Sequence, residues 1–388
     1  MNVSLYSSPA DARLFGYRRL HGGVGFRNLF LVVAVAPCVE GYLRKLTYST
    51  TVKFISHREQ CTSSPEFVSQ LGGMLSSGNV MGLHLVSMGC ESIEIDKLEG
   101  IALALGIDVQ RSSVQSSGSV DQLIFGISKH IHSFERSIQK LEREAVEWGD
   151  VVLGINCGGS DYTNSIVSNP FLGRVVEAII NLGARVIASE PVELIGLESQ
   201  IKEKCSNDKV FKKIFSKIQQ EQEDLLLSGQ LNSVMVEGNF SGGLTTIEEK
   251  AAGSYSKFSS SIIVDALSVE RGYAEKVGNK PGVYFQLGTH QEPQVITLMS
   301  AAGAQGVLFS TGRGGVFNHP FCPVFSFCGN KETCKSMKGM FDFPVVFEDL
   351  HSTESLDRAI GMIAEWLSGI ESISESNCLD SFDFYYKR

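Results

Sequence analysis

Short apolar runs recur along the chain at 29–36, 82–87, 151–155, 185–189, 262–264, 283–287 and 306–310, and longer amphipathic stretches separate them. "NPFLGRVVEAIINLG" shows the helical pattern most clearly. It places Pro170 near its start, spaces apolar residues three and four apart, and stops at Gly183. "QEPQVITLMSAAGAQGVLFS" predicts a helix, a glycine turn and a strand. This alternation predicts an α/β fold, with mostly parallel sheets carrying helices on both faces. A Lys/Glu-rich helix predicted over 135–148 marks the domain boundary, giving regions 1–138 and 139–388. The polar stretch 203–233 predicts an exposed helix and linker, and the Ser/Glu/Asp-rich tail after Ile370 a peripheral segment.

Composition narrows the function classes. The 388 residues are 43% hydrophobic and 20% charged, enough for a large core, and the formal net charge of −9 argues against nucleic acid as the main partner. The N-terminus lacks an apolar secretory core, and the most apolar run, Leu29 to Pro37, is too short to span a bilayer. Nine cysteines, an odd number without a secretory signal, predict reduced thiols in a soluble cytoplasmic protein, with no membrane partner.

Four loops follow predicted strands, where open parallel sheets gather ligands. "SHREQC" carries His57 and Cys61, "SMGCES" carries Cys90 and Glu91, "NCGGSD" carries Cys157, Gly158, Gly159, Ser160 and Asp161, and "STGRGGVFNHP" carries Arg313 and Gly314. Taken singly, each is either a glycine turn with a buried cysteine or part of a site. Together, Cys61, Cys90 and Cys157 suit a transition metal or an iron–sulfur centre as thiolates, although no CxxC pair is present. In "TGRGG" the glycines either form a plain turn or turn backbone N–H groups inward as an anion nest, with Arg313 as a carboxylate fork. No Gly-Lys-Ser/Thr follows, so it is not a nucleotide P-loop. In "GGLTTIEEKAAG", Thr245, Thr246 and Lys250 either cap and decorate a helix or line a polar pocket.

These segments, in this order, resemble the altronate/galactarate dehydratases, from "GYRRLHGGVGFRN" through "SMGCES", "NCGGSD", "NPFLGRVVEAIINLGARVIASEPVELIGLE" and "GGLTTIEEKAAG" to "STGRGGVF". The resemblance implies two Rossmann-like domains and metal-assisted β-elimination of water from a sugar acid or related hydroxy acid. A divalent metal, iron above all, is the implied cofactor. His57, Glu91 and Asp161 become the acid–base candidates. Arg27, Asn28, Gly158, Gly159, Ser160, Thr245, Thr246, Lys250, Arg313 and Gly314 become the substrate-binding candidates. The family's small N-terminal, histidine-bearing domain has no counterpart before "GYRR". The chain therefore resembles a large subunit that takes a small partner subunit, as in sulfolactate sulfo-lyase, or a homo-oligomer. Its thiol loop reads "HREQCTS" where the family has a His-x-x-Gly-Cys-Gly-like loop, and "VEGNFSGG" keeps only Gly238 and Asn239 of another motif. Two alternatives follow from these departures: a sulfo-lyase large subunit acting on sulfolactate, and a non-catalytic sugar-acid-binding relative.

Overall fold

The computed structural model describes residues 12–58, 61, 64–227 and 234–386. After β1 (Leu14–Arg18) the chain builds a four-stranded parallel sheet from β2 (Leu29–Ala34), β3 (Val52–Ser56), β4 (Val80–Ser87) and β5 (Asp108–Ser113), in the order β3-β2-β4-β5. Strand β2 is buried on both faces, which is why it reads as a continuous apolar run. Helix α1 (Pro65–Leu75) covers one face and α2 (Val120–Ile138) the other. Each starts on a serine, Ser64 or Ser119, whose side chain accepts an N–H of the first turn.

The helix expected over 135–148 ends at Ile138, and Glu144–Val146 instead forms β6, antiparallel to β1. The reason lies in Arg143. Its guanidinium donates to the carbonyls of Phe15, Phe26 and Leu367, tying this segment to distant backbone.

A seven-stranded, wholly parallel sheet follows. Its members are β7 (Val152–Cys157), β8 (Arg185–Ala188), β9 (Ile263–Leu267), β10 (Gly282–Gln286), β11 (Gly306–Thr311), β12 (Val324–Cys328) and β13 (Phe343–Pro344), in the order β9-β10-β8-β7-β11-β12-β13. All seven predicted apolar runs are strands. Helix α3 (Asn169–Asn181) buries Phe171, Leu172, Val175, Val176 and Ile179 on one stripe. Gly173 lies on that stripe because a Cβ there would sit 2.4 Å from the Ser256 carbonyl oxygen. The exposed helix expected within 203–233 is α4 (Asp208–Leu227); its predicted linker, 228–233, lies outside the described residues.

One core spans both sheets: Leu31, Phe67 and Leu71 share a buried cluster with Ile296, Met299 and Phe309. The tail after Ile370 is structural rather than peripheral. Glu375 takes a bidentate bond from Arg27 at 2.7 and 2.9 Å and one from the Trp366 indole, and Asp380 joins Lys53 of β3 to Asn318. Phe384 is buried against His57 and Phe67. Polar composition misled here because the charged groups are buried in pairs.

Candidate active site

Each sheet has a switch point where the strand order reverses, and the carboxyl ends there are the natural ligand side. In the large sheet that point is β7, with β8 on one side and β11 on the other. Cys157 ends β7. Beyond β8, Glu190 takes a left-handed backbone (φ 72°), a costly conformation for a glutamate, and starts a short turn that carries Glu193. Helix α5 (Ile247–Tyr255) brings Lys250 and Ser254, and Lys257 follows it. The loop after β10 brings Glu292.

These groups meet away from water. Lys257 Nζ lies 3.1 Å from Cys157 Sγ and 3.4 Å from Glu193 Oε2. Ser254 Oγ donates to the same oxygen at 2.5 Å, and Lys250 Nζ sits 3.6 Å from Glu193 Oε1. Asn156 Nδ2 donates to Glu292 Oε1 at 3.2 Å. Gly158 leaves the space that Glu292 fills, since a Cβ there would lie 2.4 Å from Glu292 Oε1.

The carboxylates are driven apart. Burial alone would raise Glu193, but Lys257 and Lys250 overcome it and hold Glu193 at about 2. Burial and the Glu193 charge push Glu190 well above the carboxylate range and Glu292 up to about 8. Burial, reinforced by Glu193, also pushes the Cys157 thiol up to about 12. At neutral pH Glu193 is thus a carboxylate ion between the Lys250 and Lys257 ammonium groups, while Glu292 keeps its proton and Cys157 stays a neutral thiol. Separation of this kind assigns acid and base roles.

A cleft of about 1170 Å³ adjoins the cluster, walled by Arg58 and Glu66, by Lys217, Glu221 and Asp224 of α4, by Gly288–Gln291, and by Phe382, Asp383, Tyr385 and Tyr386 of the tail. His290 lines this cleft. Burial keeps its imidazole below the usual histidine range, although the nearby Glu221 charge opposes that. One loop therefore presents His290 to the cleft and, two residues on, carries Glu292 into the buried cluster.

Comparison with known proteins places the chain in a family. Residues 16–141 match the family described as D-galactarate dehydratase/Altronate hydrolase, second domain, and residues 148–387 match D-galactarate/Altronate dehydratase, C-terminal. The chain belongs to the altronate/galactarate dehydratase family. It is 26% identical to the altronate dehydratase of Escherichia coli, over 96% of this chain and 77% of that protein. It is equally similar, at 26%, to the (2R)-sulfolactate sulfo-lyase subunit beta of Chromohalobacter salexigens, over 93% of this chain and 94% of that one. Galactarate dehydratase (L-threo-forming) of E. coli is 27% identical over 86% of this chain and 68% of its own length.

Within this family fold, the residues expected from sequence disperse. Lys250 and Gly158 belong to the cluster, and Cys157 is its inner wall. His57 is buried instead against Phe67 and Phe384, with Nε2 2.5 Å from the Val35 carbonyl oxygen. Glu91 accepts the Gly89 and Cys90 N–H groups and so shapes its own loop. Asp161 is fully buried, with Thr163 Oγ1, the Asn164 N–H and Asn330 Nδ2 all donating to it at 2.6–2.8 Å. That buried clamp pins the β7–α3 loop to the β12 end. Arg27 is spent on Glu375 and on the carbonyls of Phe26 and Trp366, while Asn28 accepts from Arg19.

The "TGRGG" loop is no open nest. The N–H groups of Gly312 and Arg313 go to the Gly159 carbonyl, and those of Gly314 and Gly315 to Thr311 Oγ1, leaving the Arg313 side chain exposed. Ser160 offers its carbonyl to Asn239. Thr245 bonds Glu249, and Thr246 caps α5 by accepting the Glu249 N–H at 3.2 Å. Thr246→Ala should therefore cost about 1 kcal/mol of stability, read by urea unfolding, with KM for any substrate unchanged. A raised KM with unaltered stability would return Thr246 to the pocket.

Cys157 does not join Cys61 and Cys90: its partners are Lys257, Glu193 and Ser254. Among the described residues no three His, Cys, Asp or Glu side chains form a ready-made set for a single metal ion. Sequence reading missed Glu190, Glu193, Lys257, His290 and Glu292. The one local signal was "SEPVELIGL", two acidic residues inside an apolar run.

Proposed function

We propose that this chain eliminates water from a polyhydroxy acid, with His290 as the base and Glu292 as the acid. What supports the reading is their opposite protonation on one loop. A histidine kept neutral can take the α-proton, and a carboxyl held at about 8 can give its proton to the leaving β-hydroxyl. Water leaves, and the enol that remains tautomerises to a 2-keto-3-deoxy acid. Arg58 on the cleft wall is placed to hold the substrate carboxylate as a fork. Glu193, flanked by Lys250 and Lys257, keeps fixed charge behind Glu292, so the site needs little reorganisation as charge develops.

Incubation with a panel of aldonic and aldaric acids should yield keto acid without release of sulfite from sulfolactate. A second reading, sulfite elimination with a small partner subunit, is favoured by the 94% coverage of the sulfo-lyase beta subunit. Sulfite release from sulfolactate, with sugar acids inert, would establish that reading in place of the first. Saturable binding of a sugar acid without turnover would overturn both in favour of a binding protein.

A further inference from the structure

The small sheet has its own switch point, at β2, with β3 on one side and β4 on the other. Each of these three strands delivers a cysteine just past its carboxyl end: Cys38 after β2, Cys61 after β3 and Cys90 after β4. Side by side in the sheet, the strands bring the thiols to one mouth. Cys61 and Cys90 are the thiols that lie close to Cys38. Ser92 N–H binds the Cys61 carbonyl at 2.8 Å, fastening the second loop to the third. Glu91 holds the Gly89 and Cys90 N–H groups, and Gly89 takes φ 110°, which fixes the turn presenting Cys90. All three cysteines are exposed at this mouth, and no disulfide joins any of the nine cysteines.

Exposed thiols are a hazard unless they have a use. A single metal ion needs its donors drawn into one coordination sphere, and the described residues hold no such set. An iron–sulfur cluster is gripped differently, each thiolate binding a separate iron, so a more open ring of sulfurs suits it. Arg58, three residues before Cys61, lines the cleft that His290 faces, so the mouth lies beside the proposed site.

We infer that Cys38, Cys61 and Cys90 together hold an iron–sulfur cluster at the carboxyl edge of the small sheet, with Cys38 in the place expected for Cys157. On assembly from sulfide and equal amounts of ferrous and ferric iron, each thiol releases one proton to solvent as its sulfur binds iron, and no electron is taken from the protein. Three thiolates, where a [4Fe–4S] cluster ordinarily has four, leave one iron to a non-protein ligand. Oxygen atoms of a hydroxy acid fit that position. This last step rests on the function proposed above; the cluster itself does not.

The test is anaerobic purification and reconstitution of the full chain with ferrous and ferric iron and sulfide, followed by iron and acid-labile sulfide analysis. The expected result is about four of each per chain, with a visible charge-transfer band. That band should be lost in Cys38→Ser and kept in Cys378→Ser. Should Cys38→Ser fold poorly, alkylation mapped by mass spectrometry on the wild type decides. Cys38, Cys61 and Cys90 should be protected, and all three released by chelation. Iron without sulfide, an unchanged band in Cys38→Ser, or equal alkylation with and without iron would overturn the inference. Dehydration by a cluster-free chain would overturn the binding of the hydroxy acid at the open iron while leaving the proposed function standing. A cluster on a chain that turns over no hydroxy acid would do the reverse.

Discussion

Lys257→Met should destabilise the protein by about 3–5 kcal/mol, the range for removing one partner of a buried ion pair. Lys257 and Glu193 are both almost wholly excluded from water, 3.4 Å apart, so the change leaves a carboxylate in the interior with only Lys250, 3.6 Å away, to balance it. Methionine is close to lysine in length and fills the space, so the loss would report charge rather than a cavity. Urea unfolding of the wild type, Lys257→Met, Glu193→Gln and the double variant forms a closed cycle. The double variant should recover a large part of the stability lost in Lys257→Met. The pH dependence has a definite sign. Glu193 sits at about 2 in the folded protein against 4.5 unfolded, so its contribution is complete above 4.5 and is lost as pH falls through about 2. The penalty of Lys257→Met should therefore shrink toward acid pH. A penalty below about 1 kcal/mol at neutral pH, typical of exposed pairs, would show that the pair does not hold this cluster together.

The large sheet was legible in sequence because its strands are buried on both faces, and β-rich apolar runs of that kind have few other uses. β5, on the edge of the small sheet, was not. Its residues Asp108–Ser113 are mostly polar and face partly outward, so no alternation marks them. The strand-end rule located the right loops but could not say which groups in them meet. Cys157 and Cys90 stand at equivalent places in sequence terms, yet they end strands of different sheets. Asp161, next to two glycines and a thiol, looked catalytic because buried clamps and catalytic carboxylates share a composition. The cluster itself was nearly invisible. Glu193 and Lys257 stand near opposite ends of the long β8–β9 crossover and Glu292 in the β10–β11 crossover, and only the parallel order β10-β8-β7 brings these loops together. Contact order, not motif, carries that information.

Glu292→Gln should lower kcat by about 10²–10⁴-fold, the usual scale for a lost general acid, and should remove a kinetic limb as well. If Glu292 must be protonated, wild-type kcat/KM falls as pH rises through about 8. The acid limb belongs to His290 and lies below the ordinary histidine value. Glutamine keeps the bond to Asn156 and the shape beside Gly158, but it has no proton to give. Its residual activity should therefore be flat through pH 8, with the His290 limb intact. Stability offers a second readout that needs no substrate. The folded carboxyl binds its proton up to about 8 and the unfolded one only up to 4.5, so its contribution is complete below 4.5 and is lost as pH rises through 8. That one group adds a slope of ~1.4 kcal/mol per pH unit across the window, and Glu292→Gln should flatten it. A flattened stability slope with undiminished kcat would keep the buried proton and dismiss its catalytic use. A lost alkaline limb with a low kcat makes that proton the one delivered to the leaving hydroxyl.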